Sequence, residues 1–185
     1  MIILFGAAGS GKSLQGQTLA AKYGWRWLSV GQLLRDQKNP ELDKVMLTGG
    51  LVDDEFVVNM MHEAIVKAEN EVGNAFLDGY PRDDWQAKWI VEHGDSKKVD
   101  GAIIIKVSDD ELWRRLEERG RADDTRESIE QRWGIFRSTI NDMRQTLESA
   151  GVRFEEVDGE GPVEVVTERI EEVLKKWGLV KSEEN

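Results

Sequence analysis

Short apolar runs recur along the chain and are separated by stretches in which apolar residues follow helical spacing. Such runs suit strands that are buried on both faces of a parallel sheet. The predicted strands are Ile2–Phe5, Arg26–Ser29, Ala75–Asp78, Ala102–Val107 and Val152–Val157. The predicted helices are Lys12–Tyr23, Val30–Gln37, Asp53–Asn70, Asp83–Glu92, Asp109–Arg119, Thr125–Ala150 and Pro162–Trp177. This alternation predicts an α/β fold, with a central parallel sheet and helices on both of its faces.

Two stretches do not fit the simple alternation of strand and helix: residues 30–70 and residues 119–124. A chain of 185 residues suits one domain with room for small insertions. We therefore expect a single domain over residues 1–185, in which these two stretches are the mobile parts.

The composition excludes several classes of protein. Lys and Arg total 25 and Asp and Glu total 36, so the net charge of −11 disfavours nonspecific nucleic-acid binding. The absence of cysteine excludes disulfides, thiol nucleophiles and cysteine zinc sites. No apolar run reaches the roughly 18 residues of a membrane span, and the N-terminus does not resemble a signal peptide. We expect a cytoplasmic protein with no membrane or nucleic-acid partner.

The segment Gly6–Ser13 reads G-A-A-G-S-G-K-S, follows the first predicted strand and opens the first predicted helix. This is a phosphate-binding loop, because glycines let successive backbone N–H groups turn inward and the helix start adds a positive dipole. Lysine reaches the outer phosphates, and serine is placed to contact Mg²⁺ or a phosphate. The residues expected to bind ATP here are Gly6, Gly9, Ser10, Gly11, Lys12 and Ser13. The motif predicts the three-layer fold of P-loop NTPases but does not identify the phosphate acceptor.

A second group of charged residues follows the third and fourth predicted strands. Asp78 ends the third strand, where it can orient Mg²⁺ through water beside the phosphate loop. Arginines gather downstream, at Arg82, Arg115, Arg119, Arg121 and Arg132. One arginine alone is more often an ion-paired surface residue. Several of them in an acidic protein with a phosphate loop indicate phosphate binding.

Together these segments resemble the adenylate kinase family of nucleoside monophosphate (NMP) kinases, over essentially the whole chain and in the family's order. Leu28–Arg35 is similar to the family's S-T-G-D-x-L-R, and Gly50–Asp53 to its G-x-L-V-P. Phe76–Arg82 is close to L-D-G-[FY]-P-R, and Gly120–Asp124 is similar to G-R-x-D-D.

The chain departs from the family pattern at three positions: Val30 replaces Thr, Gln32 replaces Asp and Asp53 replaces Pro. The close spacing of Arg119 and Arg121 implies the short lid found in some members of the family. A long zinc-binding lid is excluded by this spacing and by the absence of cysteine.

The resemblance implies direct transfer of phosphate from MgATP to AMP, giving two ADP, by a protein that is usually a monomer. Residues 30–70 would form the NMP-binding insertion and residues 119–124 the lid. The implied roles are as follows: Lys12 for the donor phosphates, Arg115 and Arg119 for the donor nucleotide, Arg82, Arg121 and Arg132 with Lys12 for catalysis, Asp123 and Asp124 for holding arginines or magnesium waters, and Ser13 and Asp78 for Mg²⁺. The implied NMP-binding set is Val30, Arg35, Val52, Gly79, Arg82, Gln86, Arg121 and Arg132.

The prediction of the acceptor base depends on two residues that point to different bases. Gln86 stands where adenylate kinases carry the glutamine that pairs with adenine, whereas Val30 resembles the small apolar residue of the uridylate and cytidylate relatives. An amide both donates and accepts, as the amino group and ring nitrogen of adenine require, so we favour AMP. Trp85 and Trp89 either stack on the base or pack against the protein. The alternatives are a UMP/CMP-type kinase, a small-metabolite kinase and a nucleotide-binding switch without turnover.

Overall fold

The computed structural model describes residues 1–93, 98–121 and 124–181. The sheet contains β1 (Ile2–Phe5), β2 (Arg26–Ser29), β3 (Ala75–Asp78), β4 (Gly101–Lys106) and β5 (Phe154–Asp158). These strands lie in the order β2-β3-β1-β4-β5, and each neighbouring pair is parallel. The predicted α/β fold with a central parallel sheet is confirmed.

Helices cover both faces of the sheet. They are α1 (Lys12–Tyr23), α2 (Val30–Asp36), α3 (Pro40–Thr48), α4 (Asp54–Val72), α5 (Asp84–Glu92), α6 (Asp109–Arg119), α7 (Arg126–Ser149) and α8 (Val163–Lys176). Ile3 and Phe5 share a core with α4, α5 and α7, whereas Ile2 and Leu4 share one with α1 and α8. Successive residues of a strand point to opposite faces, so this division gives three layers. No helix in the described ranges is long and apolar enough to span a membrane.

Most predicted elements are present, with shifted ends in several cases. β1, β2, β3, α1 and α6 have the predicted bounds, whereas β4 starts one residue earlier and β5 starts two residues later than predicted. The helix that was not predicted is α3, which lies within residues 30–70. Asn39 caps α3 by accepting a hydrogen bond from the Glu41 amide, and Pro40 lies in its first turn.

Strand order determines where a ligand can bind. β1 lies between β3 and β4, so the chain leaves β1 at the point where the connections diverge to the two sides of the sheet. Open α/β sheets bind ligands in this crevice, beyond the carboxyl ends of the strands. The loop after β1 and the end of β3 meet there, because Leu4 and Asp78 are paired across the two strands.

Candidate active site

The loop between β1 and α1 has the curled backbone expected of a phosphate-binding loop. Gly9 and Gly11 have φ values of 93° and 90°, in the left-handed region that favours glycine. A side chain at Gly9 would also lie 3.0 Å from the backbone oxygen of Leu112. The Ser10 amide donates to the Ala7 carbonyl at 3.1 Å and closes the turn.

Side chains from helices that are distant in the sequence bond to the backbone carbonyls of this loop. Trp133 Nε1, on α7, donates to the Ala8 carbonyl at 2.9 Å. Arg115 Nη1 contacts the Ser10 carbonyl at 3.4 Å, while its Nη2 donates to the Gly159 carbonyl at 2.9 Å. The sequence offered no signal that Trp133 supports the loop, because its partner is a backbone atom far away in the chain.

Ser13 and Asp78 form the polar pair beside the loop. Ser13 Oγ donates to Asp78 Oδ2 at 2.6 Å, and the Asp78 side chain is only 3% exposed at the end of β3. The described residues contain no cluster of three or more acidic or histidine side chains suited to a metal. One carboxylate and one hydroxyl fit Mg²⁺ well, since this ion completes its shell with phosphates and water.

The cavity beside Asp78 is strongly cationic. Burial lowers the pKa of Lys12, and the positive charges of Arg82, Arg119 and Arg132 lower it further, while Asp78 opposes the change. Burial likewise lowers the pKa of Arg82, again against Asp78. The lowered pKa values mean that burial and mutual repulsion disfavour the charged forms of these side chains. Such a cluster of cations is suited to binding an anion of high charge, such as a polyphosphate.

Asp124 holds two of these arginines. Its carboxylate accepts two bonds from Arg119, at 2.8 and 2.6 Å, and one from Arg132 at 3.0 Å. Burial would raise the pKa of Asp124, but the hydrogen bonds and charges of Arg119 and Arg132 outweigh burial and bring it below its ordinary value. Asp123, which was assigned a similar role, lies outside the described residues.

One cavity brings most of the predicted site residues together. It is lined by Gly6, Lys12, Ser13, Arg35, Val52, Asp78, Gly79, Arg82, Arg119, Arg121 and Arg132. The cavity lining does not include Gly9, Ser10, Gly11, Val30, Gln86 or Arg115. Residues from the loop, from β3 and from α2 therefore share one space.

The family model of adenylate kinase matches residues 4–152 of this chain. This chain belongs to the adenylate kinase family. It is 33% identical to the adenylate kinase of Prochlorococcus marinus (strain NATL1A), over 94% of this chain and 97% of that protein. It is 33% identical to the adenylate kinase of Maricaulis maris (strain MCS10), over 95% of this chain and 98% of that protein. Adenylate kinase isoenzyme 1 of Caenorhabditis elegans is 32% identical, over 89% of this chain and 82% of that protein.

Membership of the adenylate kinase family makes the protein a phosphotransferase that acts on nucleoside monophosphates. The departure at Asp53 has a structural explanation. Asp53 caps α4, because its carboxylate accepts a hydrogen bond from the Phe56 amide at 2.9 Å. The replacement of proline at this position therefore leaves the start of α4 well defined.

Gln86 is not among the residues that line the cavity and is only 1% exposed. Its Oε1 accepts from the Arg82 amide at 2.9 Å, and its Nε2 donates to Asp54 Oδ1 at 2.7 Å. An amide oxygen accepts two bonds and an amide nitrogen donates two, so one of each remains. Val30 is similarly buried against the core.

An apolar wall, which the sequence did not predict, completes the cavity. Its members include Leu34, Met46, Leu51, Pro81, Ile135, Phe136 and Met143. On α7, Phe136 and Met143 follow the same helical spacing as the buried Trp133 and Leu147, so the pattern indicates core packing rather than a cleft.

Trp85 and Trp89, for which stacking on the base was one of two alternatives, do not lie at the cavity. Trp85 is about half exposed on α5, and Trp89 stacks on His93 with ring centroids 4.0 Å apart.

Proposed function

We propose that the protein transfers the γ-phosphoryl group of MgATP directly to AMP and releases two ADP. The observation that carries this proposal is the shared cavity. The phosphate-loop residue Lys12 and the separate arginines Arg35 and Arg82 all line it. Two phosphate-binding groups in one space allow direct transfer, which requires positioning and charge stabilisation rather than a covalent intermediate.

The donor is held by the phosphate loop. Lys12 and the inward-turned amides bind the outer phosphates of ATP, with Arg115 and Arg119 supporting the donor side. Ser13 and Asp78 would hold Mg²⁺, mostly through water, and the ion would supply positive charge to neutralise the phosphates. The 2.6 Å bond between Ser13 and Asp78 keeps both oxygen atoms at the loop before the ion binds.

The acceptor is held by the opposite set of residues. Arg35 and Arg82 bind the α-phosphate of AMP, and Val52 and Gly79 line the space beside them. Gln86 is proposed to read adenine with the donor and the acceptor that its two internal bonds leave unused, which requires the base to reach past the residues that line the cavity in this structure.

Arg121 and Arg132 stabilise the phosphoryl group during transfer. Both line the cavity, and Asp124 fixes the orientation of Arg132. Fixed positive charge at this point lowers the barrier because it needs no reorganisation during the reaction. Closure of the predicted insertion (residues 30–70) and lid (residues 119–124) excludes water and suppresses ATP hydrolysis. Monomeric state and cytoplasmic location stay predictions.

Val30 favours the second candidate, a UMP/CMP-type kinase, because it resembles the small apolar residue of those relatives at the position where adenylate kinases carry threonine. Measuring ADP formation from MgATP with AMP, CMP, UMP and GMP separates the two. We expect AMP to give the highest kcat/KM. A preference for CMP or UMP would replace AMP as the acceptor, and no turnover with any of the four by folded protein would overturn the proposal.

A further inference from the structure

The segment between β2 and β3 touches α7 at one unusually close point. Gly49 ends α3 with a φ of 77°, and a Cβ placed on it would lie 2.5 Å from the Ser128 backbone oxygen. The same Cβ would lie 3.1 Å from Ser128 Cα. Only glycine permits this approach, because a methyl group would overlap backbone atoms that cannot rotate away.

The residue that Gly49 covers is also the residue that holds Arg132. Ser128 is only 1% exposed, in the first turn of α7. Its carbonyl accepts from Arg132 Nε at 3.1 Å, and its Oγ accepts from Arg132 Nη2 at 3.0 Å. Together with Asp124, Ser128 fixes the plane of a guanidinium that lines the cavity.

We propose that Gly49 and Ser128 are positioning residues for Arg132. Gly49 packs on the Ser128 backbone and keeps water from its carbonyl, which strengthens the bond to Arg132 in a low-dielectric setting. Arg35 and Val52 belong to the same β2–β3 segment as Gly49, so acceptor binding and the orientation of Arg132 are linked through this contact. The effect on turnover rests on the proposed role of Arg132 in phosphoryl transfer.

The main test is Gly49→Ala, with Gly73→Ala as its matched control. Gly73 ends α4 with a φ of 79°, but a Cβ there would meet nothing within 4 Å. Both variants therefore carry the strain of alanine at positive φ, and only Gly49→Ala adds the overlap with Ser128. We expect kcat of Gly49→Ala to fall about 100-fold, as for a displacement of roughly 1 Å, with KM for ATP little changed. Gly73→Ala should lower the melting temperature and leave kcat near wild type.

Ser128→Ala keeps the test available if Gly49→Ala fails to fold. It removes the Oγ contact while leaving the carbonyl, so we expect kcat to fall about 10-fold, in the range for one hydrogen bond to a charged group. In an Arg132→Lys background, Gly49→Ala and Ser128→Ala should each cost little more, because the group that they position is already gone. Full additivity in that background would contradict the positioning role.

A second readout does not depend on activity. The Arg132 Nε proton bonds to the Ser128 carbonyl, so NMR should show slow exchange of that proton in wild type and in Gly73→Ala. We expect fast exchange in Gly49→Ala. If wild type shows slow exchange but no turnover, and Gly49→Ala still loses the slow exchange, then the positioning role stands and only the proposed function is overturned. Unchanged exchange and unchanged kcat in folded Gly49→Ala would overturn the inference itself.

Discussion

Substitution of Asp124 is the most direct single test of the arginine cluster. Its side chain is 3% exposed and accepts bonds from two arginines that are 31% and 21% exposed. In Asp124→Asn the shape is kept, but the charge and part of the bidentate pairing with Arg119 are lost. The variant therefore isolates the contribution of the negative charge to stability and to the orientation of Arg132.

The expected size follows from these contacts. A hydrogen bond to a charged group contributes roughly 1.5–3 kcal/mol to stability. Because both arginines are partly exposed, we expect each of the three bonds to contribute an amount near the lower end of that range. Because asparagine keeps one acceptor, we expect a loss of about 2 kcal/mol, or a melting temperature lower by about 4–8 °C. Misplacement of Arg132 should also lower kcat by about 10- to 100-fold.

The assay compares melting curves and kcat of wild type, Asp124→Asn and the control Glu130→Gln. Glu130 pairs with Arg126 on the exposed face of α7, so its loss should cost less than about 0.5 kcal/mol. Since the pKa of Asp124 is lowered on folding, its stabilisation is present above its unfolded pKa of about 4 and is lost as pH falls through the folded value. The stability difference from wild type should therefore shrink below about pH 4. Equal behaviour of Asp124→Asn and Glu130→Gln would refute the reasoning.

Three further variants and one change of conditions test other parts of the site. Lys12→Met should reduce turnover by about 100-fold or more with a normal melting curve, since it removes one preorganised charge; near-normal turnover would sink the role of Lys12. Gln86→Ala should raise KM for AMP, with KM for ATP little changed, and reduce discrimination of AMP from CMP by about 10- to 100-fold; an unchanged ranking would mean that other groups read the base. Removal of Mg²⁺ by a chelator should abolish transfer, and full activity in chelator would show that the reaction does not need the ion. Ser13→Ala should raise the Mg²⁺ concentration that gives half-maximal rate, because it removes a group that would hold the ion.

The sequence predicted best what depends on local backbone chemistry. The phosphate loop, Ser13 and Asp78 follow from a glycine pattern, a helix start and a strand end, and the structure brings them together. Helix α3 was not predicted because it has only nine residues and none of them is fully buried, so the helical spacing of Leu42, Val45 and Met46 is a short signal, although Asn39 and Pro40 also mark its start.

Contacts between distant segments could not be predicted in the same way. Gly49 and Ser128 carry no motif that relates them, and their meeting depends on how α3 packs on α7. Phe136 reads as a core residue because helical spacing is the same for a core and for the wall of a cleft. Only the packing of whole helices distinguishes these cases.

The central claim is that one cavity holds donor and acceptor together for direct transfer. A bisubstrate compound, two adenosines joined by five phosphates, tests this most directly by inhibition kinetics and calorimetry. We expect it to bind one molecule per chain, to compete with both MgATP and AMP, and to raise the melting temperature because it binds only folded protein. Inhibition competitive with ATP alone, with no effect on AMP binding, would contradict the claim.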